Sequence, residues 1–187
     1  LPDLPIQYAD FSLWQRSWLQ GEAMQKQLDY WLAQFAGELP VLALPTDHAR
    51  PLLQQHHGAS HTFTVDTAVY KQLQSLCRSE GCTLFTLFLA SYSLLLHRYT
   101  GQEEVIIGTP MTNRNRAELE ALIGCFLNSL ALRFTFANQP TFRSYLRYVQ
   151  SVATSAYAHQ ELPFEVLLEH LPVARDTSRH PLFQTMF

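Results

Sequence analysis

Asn113, Arg114 and Asn128 are side chains of types that can hold a carbonyl, an amide or a carboxylate in place. Asn113 and Arg114 follow Gly108, Thr109 and Pro110, where a short apolar run, Val105 to Ile107, gives way to a small residue, a hydroxyl and a proline. Arginine suits such a place because its planar fork meets carboxylates or carbonyls at two points. Asn128 can orient a substrate amide, or it can equally well satisfy buried backbone groups. Arg175, Asp176 and Arg179 form a second group, spaced for a local ion-pair network. As a solvated surface pair they would contribute little. His159 and Glu165 flank Pro163 and punctuate helices, a cationic side chain at a helix end and an acid at a helix start each being favoured by the dipole. The paired His56 and His57 are of a residue type that can act as a general base. They sit in a proline-rich stretch, however, and read as solvated loop residues.

Other chemistries find no support in the residue pattern. There is no Gly-x-Ser-x-Gly elbow, no His-Glu-x-x-His or Cys/His cluster, and no glycine-rich loop with a lysine to cradle phosphates. Cys77, Cys82 and Cys125 are too few for a disulfide scaffold, include no Cys-x-x-Cys pair, and read as reduced, partly buried thiols of a cytoplasmic protein. A net charge of −3 with scattered Lys and Arg speaks against nucleic-acid binding. The apolar run from Leu84 to Leu96 is shorter than the ~18 residues of a membrane span. With 47% hydrophobic and 16% charged residues, the 187-residue chain has the composition of one ordinary globular domain.

The elements that must position these residues follow from periodicity. Leu28, Trp31, Leu32 and Phe35 predict a helix over 25–35, ended by Gly37, and a surface-running connection over 39–58 follows it. Alternation over 61–65 predicts a strand. Asp66 or Thr67 then caps a helix stopping near Gly81, and Thr83 caps a helix to about Tyr99 that is apolar on most sides and so must lie between layers. Strands are predicted over 105–107, buried on both faces, and over 129–136, half-buried with Leu130, Leu132, Phe134 and Phe136 facing inward. A four-turn amphipathic helix follows Thr141, a short helix opens with Pro163 in its first turn and ends at Pro172, and 181–187 reads as a strand. The resulting class is α/β (α+β), a mixed sheet flanked by helices.

Taken in order, the segments Tyr8–Gln15, Ile107–Arg114, His159–Glu165 and Arg175–Leu182 resemble the condensation domains of nonribosomal peptide synthetases. The resemblance implies the C-terminal lobe of a two-lobed, chloramphenicol acetyltransferase-like fold, with residues 1–187 a partial domain cut at both ends and the N-terminal catalytic lobe outside it. It implies an enzyme that joins an upstream carrier-bound acyl or peptidyl thioester to a downstream carrier-bound aminoacyl amine. Both substrates would be presented on phosphopantetheine arms, with no cofactor bound directly. The implied partners are the N-terminal lobe, the upstream and downstream carrier domains and a neighbouring adenylation domain; nucleic acid and membrane are not among them. Asn113 and Arg114 would lie in a loop beneath the substrate tunnel and bridge the lobes, Asn128 near the tunnel, and Arg175, Asp176 and Arg179 in the family's last motif. Cys125 stands where the family often has an aromatic residue. The Arg-Asp-x-Ser-Arg form and the His159–Glu165 segment look most like domains accepting an L-configured donor. The family's His-His-x-x-x-Asp-Gly motif is expected upstream of Tyr8. His56 and His57 are followed by Gly58, Ala59 and Ser60 with no Asp-Gly at the required offset, so the 187 residues alone are expected to be inactive. A coenzyme A-dependent acyltransferase and a non-catalytic docking or gatekeeping lobe are the alternatives.

Overall fold

Short oxygen-bearing side chains start three of the helices. Asp66 Oδ1 accepts the Ala68 amide at 2.7 Å at the head of one helix, and Thr83 Oγ1 accepts the Thr86 amide at 3.1 Å at the head of the next. Thr141 does the same for Ser144 at 3.3 Å. Each fills a backbone donor that the first turn leaves unpaired. The computed structural model describes residues 4–55, 57–137, 141–173 and 176–187. Their elements run in the order α1 (Tyr8–Trp18), α2 (Glu22–Gln34), α3 (Thr67–Glu80), α4 (Leu84–Thr100), β1 (Glu104–Met111), α5 (Ala117–Glu120), β2 (Asn128–Thr135), α6 (Phe142–Ala158) and α7 (Phe164–His170).

β1 and β2 pair antiparallel along their whole length, Glu104 opposite Thr135 and Met111 opposite Asn128. On its other side β1 receives the chain end in parallel. The Gly108 amide donates to the Thr185 carbonyl at 3.0 Å, and the Phe187 amide donates to the Gly108 carbonyl at 2.8 Å. The sheet is therefore mixed, although the strand expected over 181–187 amounts to a single bridge. Ile107, Leu132 and Phe134 point into a core completed by Leu89 and Ala90 of α4 and by Leu146 and Val149 of α6. Within it the Ser93 and Tyr145 hydroxyls pair at 2.8 Å, and burial holds the Tyr145 phenol far above its ordinary pKa.

The structure corrects several sequence expectations. Residues 61–65 form no strand and no bridge among the described residues, and Phe63 is 77% exposed. Alternation prepares a strand's two faces, but only a hydrogen-bonded neighbour makes it one. α1 and α5 are not evident from apolar spacing, because each buries a single residue, Phe11 and Leu119 respectively. These two residues join Leu122 and Phe126 in a small second core. Backbone help for α1 comes from Asp10, whose carboxylate accepts the Gln7 amide at 2.8 Å. Nor is α4 sandwiched throughout, since Leu95 and Tyr99 remain 50% and 65% exposed. Pro163 sits at the N-cap of α7, just before its first turn. No single helix among the described residues is long and apolar enough to cross a membrane.

Arg133, on the polar side of β2 by alternation, closes the end of α2. Its guanidinium donates to the carbonyls of Gln34 (3.3 Å), Ala36 (2.9 Å) and Glu38 (3.1 Å) and to the Glu104 carboxylate across the strand pair (2.5 Å). Arg133→Ala is expected to cost about 2–3 kcal/mol in urea unfolding, because it strands these acceptors. Arg133→Lys should recover less than half of that, since an ammonium cannot reproduce the planar fork.

Candidate functional site

The site is built around the outgoing end of β1 and the incoming end of β2. Gly108 is required there for space. A Cβ on it would enter the ring of Phe183, 2.6 Å from Cδ2, so the segment after His180 can lie against β1 only because this residue lacks a side chain. Beyond the strand, Asn113 adopts φ 50, a left-handed conformation that asparagine tolerates better than most residues, and turns the chain into Arg114.

Arg114 ties the following loop together. Its guanidinium donates to the Leu119 carbonyl and, at 3.3 Å, to the Gly124 carbonyl, and it lies 4.2 Å over the Phe126 ring. Gly124 makes room for Tyr8 of α1, whose Cε2 would sit 2.8 Å from an added Cβ, and the Tyr8 hydroxyl donates to the Cys125 carbonyl at 2.9 Å. Arg116 covers Trp14 at 4.2 Å, at the mouth of a cleft of about 330 Å³ between α1 and α5. Asn115 reaches across to Glu161 at 3.1 Å.

Asn128 makes four bonds. Its amide nitrogen donates to the carbonyls of Gln160 and Leu162, both at 2.8 Å. Its oxygen accepts the amides of Ser129 at 2.9 Å and Phe164 at 3.0 Å. It thus fastens β2 to the turn between α6 and α7, which is the His159–Glu165 segment. His159 caps α6 and stacks flat on Tyr30 at 3.8 Å, and its carbonyl accepts the Trp31 indole N–H at 2.9 Å. Glu165 lies in the first turn of α7.

The last group forms its own turn. Asp176 accepts the Ser178 amide at 2.8 Å and the Ser178 hydroxyl at 2.6 Å, and pairs with Arg179 at 2.6 Å. These partners, Ser178 foremost, hold its carboxyl below the usual range. Arg175 lies outside the described residues, as does His56, whereas His57 is exposed. His180, Phe183 and Phe164 form one aromatic cluster, His180 stacked 4.0 Å from Phe183 and 5.3 Å from Phe164, and burial pushes the His180 imidazole pKa down. Phe164 therefore links the turn held by Asn128 to the segment that crosses Gly108.

Four stretches far apart in sequence are in this way packed into one assembly of α1, the loops after β1 and before β2, the turn between α6 and α7, and the segment leading to Phe183. Sequence reasoning found the stretches but missed the contacts that join them, namely Tyr8 on Gly124, Phe183 on Gly108 and His159 on Tyr30. Gly108 was legible as a motif member, and nothing in the sequence marks the aromatic rings that fill the space above it and above Gly124. The polar groups of Arg114 and Asn128 are bound to the chain's own backbone, so what the assembly supplies is a fixed surface. Of the cysteines, Cys77 is buried and Cys82 half-buried, but Cys125 is exposed in the loop beneath Tyr8.

The helices packed on a small mixed sheet define a lobe of the chloramphenicol acetyltransferase-like fold. Residues 1–187 match the condensation-domain family throughout, and the protein belongs to that family. It is 50% identical over 187 residues to a linear gramicidin synthase of Brevibacillus parabrevis, and it spans 2% of that much longer protein. It superposes on the X-domain from teicoplanin biosynthesis with a TM-score of 0.91 and 28% identity, over 100% of this chain and 42% of that one. Over 88% of its length it superposes with a TM-score of 0.84 and 29% identity on holo-AB3403, a four-domain nonribosomal peptide synthetase bound to AMP and glycine, of which it covers 13%.

Proposed function

We propose that these residues are part of a condensation domain that forms an amide bond in a nonribosomal peptide synthetase. The donor is an acyl or peptidyl thioester on an upstream carrier domain, and the acceptor is the amine of an aminoacyl group on a downstream carrier. The amine nitrogen attacks the thioester carbonyl, the carbon–sulfur bond breaks, and the amine proton ends on the departing thiol. Phosphopantetheine arms carry both substrates as thioesters. The observation that carries this reading is the 50% identity to a linear gramicidin synthase over all 187 residues.

The role of the present residues is positional. A surface fixed by Arg114, Asn128 and the two aromatic-filled glycine sites holds the loops that the substrates pass, and holding reactants in register removes a large part of such a barrier. Asn113 and Arg114 belong to the loop facing the N-terminal lobe of the same domain, and Asp176 and Arg179, with Arg175, to the last motif. The L-configured donor and the adenylation-domain neighbour are part of the same proposal. A lobe of this fold that only docks another protein is the second reading. The observation favouring it is the close superposition on the teicoplanin X-domain, which is also known in complex with OxyB.

The test is a condensation assay on the synthetase that contains these residues, with both carriers loaded and the product followed by mass spectrometry. An amide product that requires both loaded carriers is the expected result. The 187-residue polypeptide alone should give none. Verified loaded carriers that yield no amide with the synthetase would overturn the catalytic reading in favour of docking.

A further inference from the structure

The cleft of about 330 Å³ between α1 and α5 combines an apolar wall with charges of both signs. Ile6, Phe11, Trp14 and Leu119 line it, and Phe11 and Leu119 are buried. Asp10, Arg116 and Glu118 line it as well, and all three are exposed. The ion pairs among the described residues include none of these three. Asp10 spends one carboxylate oxygen on the Gln7 amide and keeps the other. Arg116 lies over the Trp14 ring at 4.2 Å, a contact through the guanidinium face that leaves its in-plane N–H groups open to a ligand.

A cleft of this size stands at the lower end of ligand pockets and suits a molecule about as large as one amino acid. Its apolar wall takes an apolar group, its two carboxylates an ammonium, and its guanidinium a carboxylate. We propose that the cleft binds a free α-amino acid with a large apolar side chain, which carries all three. The side chain lies against Phe11, Trp14 and Leu119, the ammonium faces Asp10 and Glu118, and the carboxylate meets Arg116. A simple amine would leave Arg116 unmatched, and a simple carboxylic acid would meet two carboxylates of its own sign.

Because the charged groups are exposed, each pairing adds modestly, and most of the affinity comes from burying the side chain. Tyr8, which fills the space at Gly124, lies on the same helix as Phe11 and Trp14. A bound amino acid therefore braces α1 where it meets the loop before β2. Such binding is independent of amide formation.

The experiment titrates L-phenylalanine into the 187-residue chain by saturation-transfer NMR, alongside phenethylamine, 3-phenylpropanoate and L-alanine. L-phenylalanine should bind saturably. Phenethylamine, without the carboxylate, should bind about twofold to fivefold more weakly, and 3-phenylpropanoate, without the ammonium, at least as weakly. L-alanine should lose more than about tenfold, having no aromatic group to bury. Two variants separate recognition from folding. Glu118→Gln should weaken L-phenylalanine but not 3-phenylpropanoate, and Arg116→Gln should weaken L-phenylalanine but not phenethylamine. No saturable binding of L-phenylalanine, or binding of any of the other three as tight or tighter, would overturn the proposal. So would a variant that weakens its paired ligands equally.

Discussion

Asn128→Ala is expected to destabilise the protein by about 3–5 kcal/mol, the upper range for a single substitution, because it strands several buried partners at once. The carbonyls of Gln160 and Leu162 lose their donor, and the amides of Ser129 and Phe164 lose their acceptor. For a domain of this size that corresponds to a fall in melting temperature of about 6–20 °C. Asn128→Asp separates the two halves of the loss. A carboxylate still accepts from the two amides but cannot donate, and it faces two carbonyl oxygens, so it should do no better than alanine. The turn between α6 and α7 should loosen first, visible as faster amide exchange at Phe164. A melting temperature within a degree or two of wild type would mean that the four bonds add nothing beyond what water provides. Under the proposed function, amide formation should fall along with the loss of this turn.

Gly108→Ala is the second large effect, about 3 kcal/mol, and its cause is steric. The added methyl would lie inside the Phe183 ring, 2.6 Å from Cδ2, and Phe183 is buried against His180. Its φ is not in the left-handed region, so the backbone conformation suits alanine and only the space is missing. A double-mutant cycle isolates this. Phe183→Ala alone should cost about 3–5 kcal/mol by leaving a cavity. Adding Gly108→Ala to it should cost at least 2 kcal/mol less than it does in wild type, because the clash is gone. Additive costs in urea unfolding would place the strain elsewhere, for example in the bridge between Gly108 and Met186.

The sequence determined more of this protein than its elements alone. Caps such as Asp66 and Thr83, the apolar face of α6 and the alternation of β2 are local, because each depends on residues within a turn or a strand. The order of the four motif segments pointed to the condensation-domain family, since a family's fingerprint is linear text. Local pattern misled where an element depends on a distant partner. Residues 61–65 alternate but have no neighbour to pair with among the described residues, and α1 is a helix held by Phe11 on Phe126 at 4.8 Å and by Tyr8 over Gly124. Tertiary structure alone decided that Asn128 and Arg114 bind backbone and that Arg133 closes α2. Each of these turns on where a side chain's polar end finds its partner. Residue spacing fixes which face a side chain leaves from, but not which of the many equivalent backbone carbonyls or rings packing brings within about 3–4 Å of it.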